Sequence, residues 1–245
     1  MKKLCCGVLT ALAMVPVVAQ ADSIGASAHV TYWKPDLRGD IRSGGDALDL
    51  KDDLGFGDDE YMSFSAALEH PIPVLPNLRL SYLSMDQVAQ GTVSTTFDGQ
   101  VFEGNVQTNL DLSHFDLTMY YSVLDNWVHL DLGLSARFFD GTLNLLETRI
   151  AGARSENDIN FVLPMLFGEA RFELPLSGAY TGVQAHAIGY SGNQALDAAA
   201  YVGFRLVVLD LQAGYRHFSV DVEDVEDIDV DAEMAGPFVS LGVAF

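Results

Sequence analysis

Between positions 115 and 139, apolar and polar residues alternate one by one on both sides of a predicted turn at Leu124-Asp125-Asn126. Leu130, Leu132 and Leu134 share one face, opposite polar residues. A period of two indicates a β-strand with one apolar face. That face runs for about ten residues, which is what a tilted strand needs to cross a bilayer. The pattern therefore predicts a hairpin of long strands, which suits a membrane barrel or a soluble sandwich.

The same alternation recurs along the chain and predicts ten strands. Besides the hairpin, the strands are expected at 24–33, 61–69, from 78, at 159–174, 179–190, after 193, at 211–220 and at 234–245. Long connections, including the polar segments 34–60 and 221–233, alternate with short ones, such as a tight turn near Leu209-Asp210. A turn at Asp98-Gly99 is expected to extend strands three and four above the membrane. This arrangement favours an all-β, transmembrane, antiparallel up-and-down β-barrel, most simply with ten strands, although eight or twelve also fit.

The N-terminus has the composition of an export signal. Lys2 and Lys3 precede an apolar run at 4–18, and Ala19-Gln20-Ala21 is a small-residue cleavage site. We expect residues 1–21 to be a Sec signal peptide and residues 22–245 to form a barrel in the outer membrane of a Gram-negative bacterium. Cys5 and Cys6 would leave with the signal, so disulfides cannot stabilise the mature chain.

The charge is strongly negative and unevenly placed. The chain has 13 Lys and Arg against 34 Asp and Glu, a net charge of −21. Nucleic acid is excluded as a partner, because phosphate contacts need clustered Lys and Arg. The acidic segment 221–233 is either a solvated, self-repelling loop or a weak Ca²⁺ or Mg²⁺ site. Its candidate ligands are Asp224, Asp227, Asp229 and Asp231, and no other cofactor is expected.

Charged residues of both signs lie on the polar faces of the predicted strands and would point into the barrel. Buried charges persist when they are paired, and ten strands enclose only a narrow bore. We therefore expect an ion-pair network that nearly closes the lumen, with a narrow conduit or ligand pocket as the alternative. Its expected members are Glu69, Arg79, Asp116, Asp131, Arg137, Glu169, Arg171, Glu173, Asp197, Arg205 and Arg216.

One constellation points to acyl transfer. His217 and Ser219 lie two apart on one strand face, and Asp231 or Glu233 on the returning strand would orient the histidine. Such chemistry needs a nucleophile, a base and a group that orients the base. The trio, written with Asp231 as its acid, resembles the His-x-Ser and later Glu of outer-membrane lipid A 3-O-deacylases. Val220 stands where that family has Asn.

A second enzymatic alternative is a rim protease of the omptin type. Such an enzyme needs paired aspartates and an Asp–His couple at the outer mouth. His114, Asp111 and Asp116 are predicted near that height.

Four stretches carry a wider resemblance: YWKPDLRGDI at 32–41, LDLKDDLGF at 48–56, NLRLSY at 77–82 and YYSVLDNWVHLDLGL at 120–134. They resemble a family of Gram-negative outer-membrane β-barrel proteins of no known activity. The terminal FVSLGVAF, ending at Phe245, is similar to the signal by which the barrel assembly machinery recognises its substrates. The expected partners are that machinery, outer-membrane lipid and lipopolysaccharide. The favoured function is a structural, surface-interaction or narrow-conduit barrel rather than an enzyme.

Overall fold

One antiparallel sheet contains every strand of the computed structural model, which describes residues 24–42, 47–97, 99–148, 152–225 and 228–245. The predicted signal peptide and Asp227 lie outside the described residues, as do the side chains of 223–228, including Asp224. The strands are β1 Gly25–Trp33, β2 Asp36–Arg42, β3 Leu48–Asp49, β4 Tyr61–Glu69, β5 Asn77–Ser84, β6 Asp86–Phe97, β7 Gln100–Asp111, β8 His114–Asp125, β9 Val128–Glu147, β10 Arg154–Glu173, β11 Ala179–Tyr190, β12 Asn193–Leu206, β13 Leu209–Val225 and β14 Ile228–Ala244.

Ten strands close into a barrel in the order β1, β4, β5 and β8 to β14, and β14 pairs with β1. Thr31 lies opposite Ser240 at this closure. The predicted ten-stranded antiparallel barrel is therefore confirmed. The beginning of β1, the C-terminal Phe245 and the connections 70–76, 126–127, 174–178 and 207–208 lie at one end, which we call the terminal end, and the remaining strands lie at the opposite, extension end.

The alternation predicted for the barrel wall is visible in which side chains are buried. Leu132 and Leu134 of β9 are exposed on the outer surface, whereas Ser135 and Arg137 of the same strand are buried in the lumen. An apolar outer face of this kind is what a bilayer requires of a spanning strand. No helix in the described part of the chain is long and apolar enough to cross a membrane.

A tall hairpin rises from the barrel at the extension end. β5 continues into β6, β7 leads into β8, and β7 also pairs with the upper part of β9, with Val106 opposite Glu147. Phe97 pairs with Gln100 across the tip, where Gly99 has a φ of 68°. A positive φ at this position favours glycine, and the predicted extension of these strands is confirmed.

The prediction that 34–60 is a polar loop was wrong for β2 and β3, whereas residues 50–60 form no strand. After a break at Lys34-Pro35, β2 pairs with β14 and then with β3. Leu37 and Ile41 of β2 are buried while the intervening residues are not. The segment folds because one face of β2 has an apolar partner inside the extension.

The prediction of an acidic loop at 221–233 was also wrong. β13 runs to Val225 and β14 begins at Ile228, so most of the segment is strand. The tight turn expected near Leu209-Asp210 lies instead at 207–208, between β12 and β13. Acidic residues are disfavoured in strands, but Val222 pairs with Val230 and gives the hairpin an apolar face.

The apolar core lies at the extension end rather than across the membrane. We call it the extension cluster; it contains Trp33, Leu37, Ile41, Leu48, Leu50, Leu54, Phe56, Tyr61, Leu83, Met85, Val93, Phe97, Phe102, Val106 and Phe238. It joins the barrel mouth, the 47–60 segment and the β6–β7 hairpin. The lumen below this cluster is mostly polar and charged.

Candidate functional site

Two arginines and two aspartates form the centre of the lumen. Arg137 on β9 donates from Nε and Nη2 to Asp116 on β8, both at 2.8 Å, and from Nη2 to Asp197 on β12 at 2.7 Å. Arg216 on β13 donates to Asp197 at 2.8 and 2.7 Å. All but Arg216 are buried. Bidentate pairs of this kind are strong and geometrically specific, so the group ties opposite parts of the wall together.

A second group lies nearer the terminal end. Arg79 Nη2 donates to Glu169 at 2.8 Å, and Arg79 Nη1 donates to Gln184 at 3.2 Å. The hydroxyl of Tyr201 also donates to Glu169. The Arg79 guanidinium lies over the ring of Phe167, 5.3 Å from its centroid. The Glu169 carboxylate and the Arg79 guanidinium thus each contact more than one partner side chain.

A third group lies at the terminal end itself. Arg205 donates to Asp210 at 3.2 Å, and the Tyr180 hydroxyl donates to the same carboxylate. Arg171 and Glu173 approach to 3.4 Å. Sequence reasoning missed Asp210 because it assigned this residue to a turn, whereas the strand begins one residue earlier.

Two acids expected in the network have other surroundings. Glu69 accepts a hydrogen bond from the Tyr120 hydroxyl at 3.0 Å. Asp131 is buried, and one of its carboxylate oxygens has no hydrogen-bond partner among the described residues. Neither forms an ion pair with an arginine in the described part of the chain. The alternation gives the face of a residue but not which lumen residue it will meet.

A cavity of about 190 Å³ remains beside these groups. It lies against β1, β4 and β5, because those strands point small side chains inward: Ser27, Ser63, Ser65 and Ser81. The opposite wall carries the ion pairs and His186. The lumen is therefore only partly filled.

The extension end is closed by the segment between β3 and β4. Leu54 and Phe56 are buried in the extension cluster, and Thr92 N donates to Asp53 O at 3.1 Å. Gly55 has a φ of 77°, and a Cβ there would overlap the carbonyl oxygen of Gln90. Only glycine allows this approach, so the segment is tightly docked on β6.

An exposed ion pair fastens the same segment to β2. Lys51 Nζ donates to Asp36 at 2.8 Å and to Asp58 at 3.1 Å. Hydrogen bonds from Lys51 and then Arg38 lower the pKa of Asp36 from 3.8 to about 2. Asp36 therefore stays ionised under all ordinary conditions.

The proposed acyl-transfer residues share the outer surface, but with a different acid. His217 Nδ1 lies 3.5 Å from Glu233 Oε1, and Glu233 is directly opposite Ser219 across the strands. Asp231 instead lies opposite Asp221, two residues farther along the strand from His217 than Glu233 is. The assignment of Asp231 as the acid that orients His217 was therefore wrong. Among the described residues, Ser219 forms no hydrogen bond with His217.

A groove of about 500 Å³ runs along the outer surface and ends at His217. Gly168, Ala185 and Ala198 on successive strands form its floor, because they lie in one row with His217. Small side chains leave a depression between the bulkier ones. It lies on the face that the bilayer would cover.

The residues proposed for a rim protease do not come together in the structure. Asp116 is held by Arg137, and His114 is buried with Nδ1 2.9 Å from the carbonyl of Leu112. Asp111 accepts a hydrogen bond from the Ser113 amide at 2.9 Å. His114 and the two aspartates therefore do not form a water-activating couple.

The metal candidates are spread out in the part that the structure describes. Asp231 lies opposite Asp221 and Asp40, while Asp229 is 3.8 Å from Arg42. No three His, Cys, Asp or Glu side chains are arranged around a common point within the described residues.

Comparison with solved structures identifies proteins with a similar fold. The outer membrane protease OmpT of Escherichia coli aligns with a TM-score of 0.55 and 11% identity, over 92% of this chain and 97% of that one. The fold is that of an outer-membrane β-barrel. Weaker matches are Ail of Yersinia pestis (TM-score 0.37, 11% identity, 91% and 100% covered) and the NalP translocator domain of Neisseria meningitidis (0.36, 14%, 93% and 91%). No family model and no curated protein matches the sequence.

Proposed function

We propose that this protein is an outer-membrane barrel with a structural or surface-interaction role, closed to steady flow. The observation that carries the proposal is the Arg137, Asp116, Asp197 and Arg216 group, which links opposite walls of the lumen. The extension cluster covers the mouth above it. Two layers of different chemistry thus stand in the way of a solute, one ionic and one apolar.

The extension end is assigned to the cell exterior. Outer-membrane barrels have short periplasmic turns and longer external segments, and the longest segments between barrel strands here, 34–60 and the β6–β7 hairpin, lie at the extension end. Residues 1–21 would direct Sec export, and the strand ending at Phe245 would engage the assembly machinery. Phe245 is exposed at the terminal end, next to Ala26. Lipid and lipopolysaccharide would surround the apolar outer face.

Planar-bilayer recording tests the closed state. The wild-type barrel is expected to give small or no steady conductance. A variant that combines Asp197→Ala and Arg216→Ala with a Gly-Ser replacement of residues 50–56 removes half of the ionic group and the part of the extension cluster that 50–56 contributes, and it should conduct. The same replacement alone is the matched control and should leave the ionic layer closed. A large steady conductance in the wild type contradicts the proposal.

A second candidate function is a lipid-directed acyl esterase. The specific observation in its favour is the 3.5 Å contact between His217 and Glu233, with Ser219 opposite Glu233. Ionisable groups on a lipid face are costly and mark functional sites. The groove that ends at His217 would accept an acyl chain.

Release of 3-hydroxy fatty acid from reconstituted lipopolysaccharide separates the two candidates. The closed-barrel role predicts no release by the wild type or by Ser219→Ala. Release that is lost in Ser219→Ala and in Glu233→Gln but kept in Asp231→Asn would instead establish the esterase.

A further inference from the structure

The lumen cavity has two chemically different walls. On β1, β4 and β5 the hydroxyls of Ser27, Ser63, Ser65 and Ser81 point inward. On the other side stand the arginines with their partner acids, and His186. Arginines and carboxylates line the cavity in equal number, so its formal charge is balanced. A ligand here would be selected by hydrogen bonding rather than by net charge.

Several nitrogens around this cavity have no hydrogen-bond partner among the described residues. They include Nη1 of Arg137, Nε of Arg171 and Nδ1 of His186. Arg137 is 0% exposed and His186 is 6% exposed, and both line the cavity. Buried polar groups in folded proteins almost always have hydrogen-bond partners, so we expect these nitrogens to bind a partner in the cavity.

The unused hydrogen-bonding capacity of Arg137 and Arg171 is of the donor kind, and Nδ1 of His186 donates in one of its two neutral tautomers. A guanidinium nitrogen only donates. The carboxylates close to Arg137 already accept: Asp116 takes two hydrogen bonds from Arg137, and Asp197 takes bonds from both Arg137 and Arg216. Serine hydroxyls can add donors from the opposite wall. The matching ligand is therefore rich in acceptors.

We propose that this cavity is a binding site for a small oxyanion, with a carboxylate, phosphate or sulfate group held between Arg137, His186 and the serine wall. The site goes beyond the closed-barrel role and does not depend on it. Charge-assisted hydrogen bonds from guanidinium to oxyanion are the strongest contacts available here. The balanced charge of the lining implies modest affinity.

The ligand enters from the terminal end. At the other end, Trp33, Tyr61 and Phe238 are buried in the extension cluster and seal the cavity. Toward the terminal end, Glu69 is exposed and Arg171 and Arg205 are half-buried. With the extension outside the cell, the site would sample periplasmic solutes.

Trp33 provides a built-in reporter. Arg216 lies over its ring, with Cζ 4.7 Å from the centroid, and Arg216 also lines the cavity. The chain has two tryptophans, so Trp127→Phe leaves Trp33 alone. The refolded Trp127→Phe barrel is titrated with phosphate, sulfate and acetate at constant ionic strength in chloride, by calorimetry and by Trp33 emission. Saturable binding of at least one of these anions is expected.

Two lumen variants locate the site. Ser81→Val fills the serine wall and His186→Phe removes a free nitrogen, and each should weaken binding at least tenfold. Arg154→Ala is the matched control, because Arg154 is an exposed arginine paired with Glu156 outside the lumen, and it should bind like the parent. Heat-modifiable migration on unboiled gels verifies that each variant is folded.

Three outcomes overturn the proposal: no saturable heat with any anion, which would leave water as the cavity's occupant; equal affinity in the lumen variants and the parent; or loss of binding in Arg154→Ala. Failure of the closed-barrel role is separately visible. A wild type that conducts and still binds anions refutes the closed-barrel role and keeps the binding site. A wild type that neither conducts nor binds anions refutes the binding site and keeps the closed-barrel role.

Discussion

Replacing Arg137 with methionine should destabilise the barrel more than any surface change. The side chain is fully buried and gives two hydrogen bonds to Asp116 and one to Asp197. Arg137→Met leaves Asp116 as a buried carboxylate without its cation, while Asp197 keeps Arg216. Removing one partner of a buried pair costs about 3–5 kcal/mol. We expect a loss of this size in the free energy of unfolding.

The assay is urea unfolding of the refolded barrel in lipid vesicles, followed by heat-modifiable migration and tryptophan emission. Arg154→Met is the matched control: its pair with Glu156 has the same 2.8 Å distance but is exposed on both sides, so little change is expected. The double variant Arg137→Met with Asp116→Leu should recover most of the loss, because an apolar pair can replace a buried ion pair. Equal unfolding midpoints for Arg137→Met and Arg154→Met would refute the reasoning.

The remaining predictions concern the outer surface and the extension. Leu132→Arg places a charge on the lipid face at a cost of about 2–4 kcal/mol and should impair assembly, measured as outer-membrane yield, whereas Ser135→Arg in the lumen should mainly disturb packing; equal tolerance contradicts the assigned faces. Gly55→Ala should release the 50–56 segment to proteolysis, while Gly57→Ala, with nothing within 4 Å of its added Cβ, should not; equal cleavage of both argues against tight docking. Because the pKa of Asp36 is lowered to about 2, its ion pair is complete above its ordinary pKa and is lost as the pH falls through about 2. Pepsin should therefore cut Asp36→Asn faster than wild type at pH 4 but not near pH 2. A difference in cleavage rate that persists near pH 2 contradicts the role of the Asp36 ion pair in fastening the segment.

The strand pattern and the identity of the lumen residues followed from the sequence because a barrel wall obeys one simple rule. Side chains alternate between lipid and lumen, so the faces of Leu132 and Arg137 can be read without knowing any neighbour. Partner choice is different: Arg137 meets Asp197 across 60 positions of sequence. Alternation has no information about which strands face each other across the lumen.

The part of the extension formed by residues 34–60 and 221–233 was missed for a different reason. Leu54 and Phe56 lie among acidic residues with no clear period, and they become core only because β6 approaches them at Gly55. In the acidic hairpin, Val222 and Val230 do alternate with acids, which was the signal available. The choice between Asp231 and Glu233 beside His217 depended on strand register, since both acids share one face and a shift in register changes every cross-strand partner.

Labelling of single cysteines on intact cells tests the central claim most directly, because the residues after the predicted signal contain no cysteine. Val101→Cys lies on the β6–β7 hairpin and Leu176→Cys in a turn at the terminal end, and both positions are exposed. A membrane-impermeant maleimide should label Val101→Cys on intact cells and Leu176→Cys only after the outer membrane is permeabilised. Equal labelling of both positions on intact cells, or of neither position before permeabilisation, would contradict a barrel that spans the outer membrane with its extension outside.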